Sequence, residues 1–364
     1  MKLAFFGTGE FAVAPLRSLH AAGHEIAIVV SQPDRPAGRG LQVQPTHVRV
    51  AAEALGLSHV QAADVNGMSP DELLRGATLA VIVAFGQKIG GALLAAATQG
   101  FVNIHGSLLP KYRGAAPYQW AVINGDATSG VTTFVLNERW DAGPILGRRE
   151  TPIGETETAD ELHDRLSLLG AELIVETVAA IERGDARPLV QDATQACRAP
   201  KLSKADGVID WSQPARVIAR RINGLWSWPT ATAVVHPAKG KPVQVQLARA
   251  VCVEEGKSDG ATERRSDEDR EDQGTEARRH EGTEGKSDEA TQRRSDEGGR
   301  DQGTEAGMHA PGDFLPDGSV QTGSGRIRLI EIKPAGGKLM TFEQFANGRD
   351  VKPPARLGPV VAGV

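Results

Sequence analysis

An amide and an imidazole stand two residues apart in Asn103-Ile-His105, at the end of the apolar run Phe101–Ile104. Residues i and i+2 of a strand point to one face, so both side chains would meet at a strand end, where open α/β sheets place their ligands. An amide donor beside an imidazole can hold a carbonyl oxygen and stabilise the charge it gains as an oxyanion. Histidine can also move protons near neutral pH. A capped strand end with a hydrogen-bonded core histidine would use the same two residues, and the pair alone does not separate these readings. Asp141 favours the chemical one. The run Val131–Leu136 leads into the turn-rich Asn137-Glu-Arg-Trp-Asp141-Ala-Gly143, which could bring a carboxylate beside His105 to orient the ring and favour its charged form. The sequence has no serine elbow, no H-E-x-x-H and no carboxylate cluster suited to Mg²⁺. The expected chemistry is direct transfer between two bound substrates, with neither a covalent enzyme intermediate nor a metal.

Two further segments could bind anions. Gly7-Thr-Gly9-Glu-Phe-Ala12 formally meets the dinucleotide fingerprint. The second strand, however, ends at Ser31-Gln32 without the acidic residue that would hold a ribose hydroxyl, so a tight turn with close backbone packing is the better reading. Gln32-Pro-Asp-Arg-Pro-Ala-Gly-Arg-Gly40 reads as a mobile loop whose Arg35 and Arg39 carry guanidinium groups suited to phosphates; an ordinary solvated loop is the alternative.

The elements that must position these residues follow from pattern. Lys2–Phe6, a helix through Phe11, Leu16 and Leu19, and Ile26–Val30 give strand, helix, strand, the opening of a parallel α/β sheet. Apolar runs recur at Leu79–Phe85, Phe101–Ile104 and Val131–Leu136. Ser69-Pro70 starts a helix, and Thr158-Ala-Asp-Glu161 is a capping box ahead of a long helix reaching about Glu182. A catalytic domain over 1–184 is expected, then a linker over 185–206. A short helix Ala215–Ile222 and strands Ala231–Val235, Val243–Leu247, Ala250–Val253, Val320–Thr322 and Ile327–Ile332 predict a small β-barrel over 207–253 and 307–364.

Between two barrel strands, Glu254–Ala306 contains no Val, Ile, Leu, Met, Phe, Trp, Tyr or Cys, but 18 acids and 10 bases. Such a stretch buries too little apolar surface to offset ordering and is expected to be disordered. Gly256–Ala277 matches Gly285–Ala306 at 17 of 22 positions; with no apolar face to stack, this is a duplicated insertion rather than a solenoid. The formal charge of -5 therefore hides three parts. Residues 1–206 carry 18 bases and 22 acids, the tract carries a net -8, and the barrel segments carry 13 bases and 6 acids. A basic barrel points to a polyanion such as nucleic acid. Cys197 and Cys252 are too few for a disulfide framework or zinc cluster and read as buried small residues in a reducing compartment. The longest apolar run is far short of a membrane span, and no signal-peptide core develops after Lys2.

With Asn103, His105 and Asp141 placed, the chain resembles the folate-dependent formyltransferases, and among them those acting on a charged tRNA. The resemblance rests on SQPDRPAGRG at 31–40, HGSLLPKYRGAAP at 105–117, and KLSKADGVIDW at 201–211 leading to Asn223-Gly-Leu-Trp226-Ser-Trp-Pro229. It implies a Rossmann-like domain with a mostly parallel sheet, a linker and an OB-like barrel. The implied reaction moves the formyl group of 10-formyltetrahydrofolate to the α-amino group of initiator methionyl-tRNA, in a monomer of the bacterial cytoplasm. Asn103 would hold the formyl oxygen, His105 would stabilise the oxyanion, and Asp141 would orient His105 and support proton transfer. Ser107, Leu108, Leu109 and Pro110, with backbone near Val83, Phe85, Gly86 and Gln87, would form the folate pocket. Arg35, Arg39, Arg220 and Arg221 would face tRNA. A formyltransferase acting on glycinamide ribonucleotide or an amino sugar nucleotide would keep the triad without needing the 32–45 loop or the basic barrel. An NAD oxidoreductase would leave the triad unexplained.

Overall fold

The computed structural model describes residues 1–37, 42–253 and 309–359. Strands β1 (Lys2–Gly7), β2 (Glu25–Ser31), β3 (His59–Gln61), β4 (Leu79–Val83) and β5 (Phe101–His105) run parallel. Next to β5 lies β6 (Thr128–Val135), antiparallel to it, and then β7 (Ile145–Pro152), antiparallel to β6. The order across the sheet is β7-β6-β5-β4-β1-β2-β3.

Both faces are covered, which is why the strands read as continuous apolar runs. On one face Phe5, Val81 and Ile104 pack under Leu16 and Leu19 of α1 (Val13–Ala21) and Leu162, Leu166 and Leu173 of α6 (Ala159–Glu182). On the other, Phe6, Ile28, Ile82 and Phe101 meet Leu73 of α3 (Pro70–Leu74) and Leu93 of α4 (Gly91–Ala96). α2 (His47–Ala54) and α5 (Pro117–Asn124) add Val48, Ala51, Ala52 and Val122 to the first of these faces. The turn after β1 is a packing device, as its sequence suggests. A Cβ at Gly7 would stand 2.9 Å from the Ala12 Cβ and 3.2 Å from the Val83 carbonyl oxygen. At the start of α6, Thr158 N–H donates to Glu161 Oε2 at 2.9 Å and Glu161 N–H donates to Thr158 Oγ1 at 3.4 Å, the expected capping box.

The second sheet is antiparallel. It contains β8 (Ala231–His236), β9 (Val243–Val253), β10 (Val320–Gln321), β11 (Arg326–Pro334) and β13 (Arg356–Gly358) in the order β10-β11-β9-β8-β13, with β12 (Met340–Thr341) on β11. Gly312–Phe314 joins its two edges: Gln321 N–H donates to Asp313 at 2.9 Å, and Phe314 N–H donates to Ala355 at 3.0 Å. The sheet is thereby curled toward a barrel around Val245, Leu247, Leu329 and Phe314, with Ile218 and Ile222 of α7 (Ala215–Leu225) against it. A short α8 (Phe342–Asn347) follows β12.

Three sequence expectations change. The segments Val243–Leu247 and Ala250–Val253 are one strand, because register shifts around Arg249 absorb the break in alternation. The loop after Gln32 contains a two-stranded hairpin, Arg35–Ala37 with Gln42–Gln44, since Pro36 and Val43 can pair where the loop reading saw only turn residues. Cys197 is exposed rather than buried, its sulfur accepting the Tyr112 N–H at 3.1 Å. The tract expected to be disordered, 254–306, lies outside the described residues, as does Arg39. Among the described residues no helix is long and apolar enough to cross a membrane.

Candidate active site

Asn103 and His105 sit at the C-terminal end of β5, paired through Asn103 to Ile82 of β4 and to Phe134 of β6. His105 is 6% exposed and Asp141 7%. The imidazole donates from Nε2 to the Tyr112 carbonyl oxygen at 2.8 Å, because a carbonyl can only accept. Nδ1 is then the nitrogen left for Asp141, whose Oδ2 lies 3.9 Å away. That separation is an electrostatic contact rather than a hydrogen bond. The carboxylate is held instead by the Gly114 N–H, at 2.8 Å from Oδ2. Asp141 adopts φ 49°, in the left-handed region uncommon for non-glycine residues. Asn103 is half-buried, and among the described residues its side chain makes no hydrogen bond. The three side chains foreseen from sequence are thus brought to one strand end.

Tyr112 and Gly114 were not foreseen, because they act through a carbonyl and an amide that any residue possesses. Tyr112 is anchored at its other end, where burial pushes the phenol up to about 12 and Asn124 Nδ2 donates to its hydroxyl at 3.1 Å.

The residues expected around a pterin lie on two neighbouring loops. After β4, the Phe85 carbonyl accepts from Gln32 Nε2 at 2.7 Å and from Thr8 Oγ1 at 3.2 Å. The Gln87 side chain donates to the Ala62 carbonyl at 2.8 Å and accepts from the Val65 N–H at 3.0 Å, so it braces the loop. Val83 is buried and Gly86 exposed. After β5, Thr132 Oγ1 donates to the Ser107 carbonyl at 2.7 Å and accepts from the Leu109 N–H at 3.1 Å. The Ser107 hydroxyl is spent on the Lys111 carbonyl at 2.7 Å. Ser107, Leu108, Leu109 and Pro110 also line a cavity of about 220 Å³ with Asp126, Arg148 and Glu150. None of Asn103, His105 and Asp141 lines that cavity.

A formyl transferase family model matches residues 1–178, and the model of the formyl transferase C-terminal domain matches residues 201–270. A methionyl-tRNA formyltransferase of Heliobacterium modesticaldum is 38% identical over 98% of this chain and 100% of its own length. The chain belongs to the methionyl-tRNA formyltransferase family. Another relative of that name, from Solibacter usitatus, is 44% identical over 72% of this chain and 84% of its own. Among solved structures, the fold is similar to the sugar 3N-formyl transferase WlaRD, with a TM-score of 0.53 at 17% identity over 70% of this chain and 87% of that one. It is similar also to HypX from Aquifex aeolicus in complex with tetrahydrofolic acid, with a TM-score of 0.53 at 16% identity over 96% of this chain and 48% of that one.

The basic residues of this methionyl-tRNA formyltransferase family member divide by their partners. Arg35 is exposed on the hairpin, where its guanidinium donates to the Gln32 side-chain oxygen. Arg221 donates to the Asp206 carbonyl at 2.6 Å, and the Arg220 guanidinium lies against Gly125 at the end of α5. The segment expected to be a linker, 185–206, is bonded to β7 and to the loop after β5. Leu189 pairs with Ile145, the Arg113 N–H donates to the Cys197 carbonyl at 2.9 Å, and the Ala115 N–H donates to Ala199 at 2.9 Å.

Proposed function

We propose that this chain transfers the formyl group of 10-formyltetrahydrofolate to the α-amino group of initiator methionyl-tRNA. The observation that carries this reading is the convergence of Asn103, His105 and Asp141 at the end of β5, with His105 Nδ1 3.9 Å from the Asp141 carboxylate, in a chain of this family. The amine nitrogen attacks the formyl carbon and its carbonyl oxygen becomes an oxyanion, which Asn103 and His105 stabilise. As the bond from that carbon to the folate nitrogen breaks, the proton lost by the amine passes by way of Asp141 to the departing nitrogen. The electron count closes without metal or redox partner.

The folate lies, on this reading, between the backbone of Val83, Phe85, Gly86 and Gln87 and the Ser107–Pro110 loop. Arg35 and Arg39 reach the acceptor stem. Arg221, already bonded to the Asp206 carbonyl, and Arg220, whose guanidinium lies against Gly125, contribute chiefly positive field on the barrel side. The enzyme acts as a monomer in a bacterial cytoplasm, and residues 1–184 and the barrel segments serve as its catalytic and tRNA-binding domains. The deciding experiment offers 10-formyltetrahydrofolate with charged methionyl-tRNA, glycinamide ribonucleotide or an amino sugar nucleotide. Formylated methionyl-tRNA is expected. Transfer to either small acceptor, with none to tRNA, overturns the assignment.

A further inference from the structure

Gln191 lies in the aperiodic stretch after α6 and is 8% exposed. Its side-chain amide is fully used. Nε2 donates to the Asp141 carbonyl at 2.9 Å and to the Gly143 carbonyl at 2.7 Å. Oε1 accepts from Arg113 Nη2 at 2.7 Å and Nε at 3.2 Å. An amide has two donors and two acceptor sites, so these four bonds exhaust it. They also fix which way it faces, since a guanidinium can only donate and a carbonyl can only accept.

What Gln191 grips is the strained part of the site. Asp141 stands at φ 49°, a conformation that persists in a non-glycine residue only where its surroundings determine it. Gln191 binds the carbonyl of that residue and the carbonyl two residues on. Arg113, its other partner, immediately precedes the Gly114 amide that holds the Asp141 carboxylate at 2.8 Å. One side chain therefore ties the loop carrying the carboxylate to the loop carrying its hydrogen-bond donor.

We propose that Gln191 is a positioning residue for the transfer reaction, acting through Asp141; the proposal rests on the reading of Asp141 as the proton-carrying group. A carboxylate displaced by about 1 Å loses on the order of 10²-fold in rate. The test measures kcat, and KM for both substrates, in Gln191→Ala, Gln191→Glu, Asp141→Asn and the double variant Gln191→Ala/Asp141→Asn. Gln191→Glu keeps the volume and the Arg113 contact but removes both donors, so it separates positioning from packing. Both single Gln191 variants are expected to lose kcat by about 10²-fold, with either KM changed less than about threefold. In the Asp141→Asn background, Gln191→Ala is expected to add less than about a threefold further loss, because coupled residues are not additive. The same loss from Gln191→Ala in both backgrounds, or full kcat in Gln191→Glu, overturns the positioning role and leaves the catalytic reading standing. Full activity in Asp141→Asn overturns the catalytic reading, and this proposal with it.

Discussion

Because Nε2 of His105 is committed to the Tyr112 carbonyl at 2.8 Å, Nδ1 is the nitrogen left to face the Asp141 carboxylate, and it can donate to an oxyanion only when the ring carries both protons. A backbone acceptor, rather than the carboxylate, thus holds the imidazole. Asp141 is 3.9 Å away and bound to Gly114 instead, so a proton exchanged at Asp141, as the proposed mechanism requires, would not cost the ring its orientation. On the proposed mechanism, replacing His105 by alanine removes the group that steadies the oxyanion, and it leaves the Tyr112 carbonyl without its donor. His105→Ala should lower kcat/KM for formyl transfer to methionyl-tRNA at least about 10²-fold, the usual cost of losing a positioned donor or acid. Steady-state kinetics would show it, and undiminished kcat/KM would remove His105 from the mechanism.

At the scale of elements, the start of α6 is tied to the second sheet through one arginine. Arg249 of β9 donates to both Glu161 carboxylate oxygens, at 3.0 and 2.7 Å, and to Glu331 at 2.9 Å. The Arg249 hydrogen bond holds the Glu161 carboxyl down to about 2, against desolvation acting the other way. A carboxyl whose folded pKa lies below its unfolded value, about 4.3, adds stability that is present above the unfolded value. That stability is lost as pH falls toward the folded one. The unfolding midpoint of the native chain should therefore fall more steeply between about pH 4.3 and about 2 than that of Glu161→Gln; parallel curves would refute the coupling. Since the Glu161 side chain is half exposed, salt should shrink the difference.

The capping residues of this element were legible in the sequence, but the arginine was not, because its strand is broken by register shifts at that point. The strand β7 is illegible in the sequence for a related reason. Arg148, Arg149 and Glu150 interrupt its apolar pattern, as suits an edge strand whose Arg149 pairs with Glu172 and Glu176 of α6. Asn103 and His105 were legible because strand periodicity alone puts them on one face. Gln191 was not, because nothing periodic surrounds it and its role exists only once two distant loops lie beside it.

For the whole molecule, the distribution of charge matters more than its sum of -5. The tract Glu254–Ala306 carries 18 acids and 10 bases, and without it the chain holds 28 acids and 31 bases. The core of the second sheet is built from residues on either side of it, among them Val245, Leu247, Phe314 and Leu329, and the tract supplies no apolar side chain larger than alanine. Deleting 254–306 should therefore leave the unfolding midpoint unchanged. It should also tighten tRNA binding at low salt, since a net negative contribution leaves a chain that must meet phosphates. The gain is long-range electrostatics, so it should fade between about 50 mM and about 200 mM salt as screening shortens. Binding titrations of the deletion and the full chain across that range, with thermal unfolding of each, test both halves. A lowered midpoint would make the tract part of the fold, and weaker binding without it would make the tract part of the tRNA site.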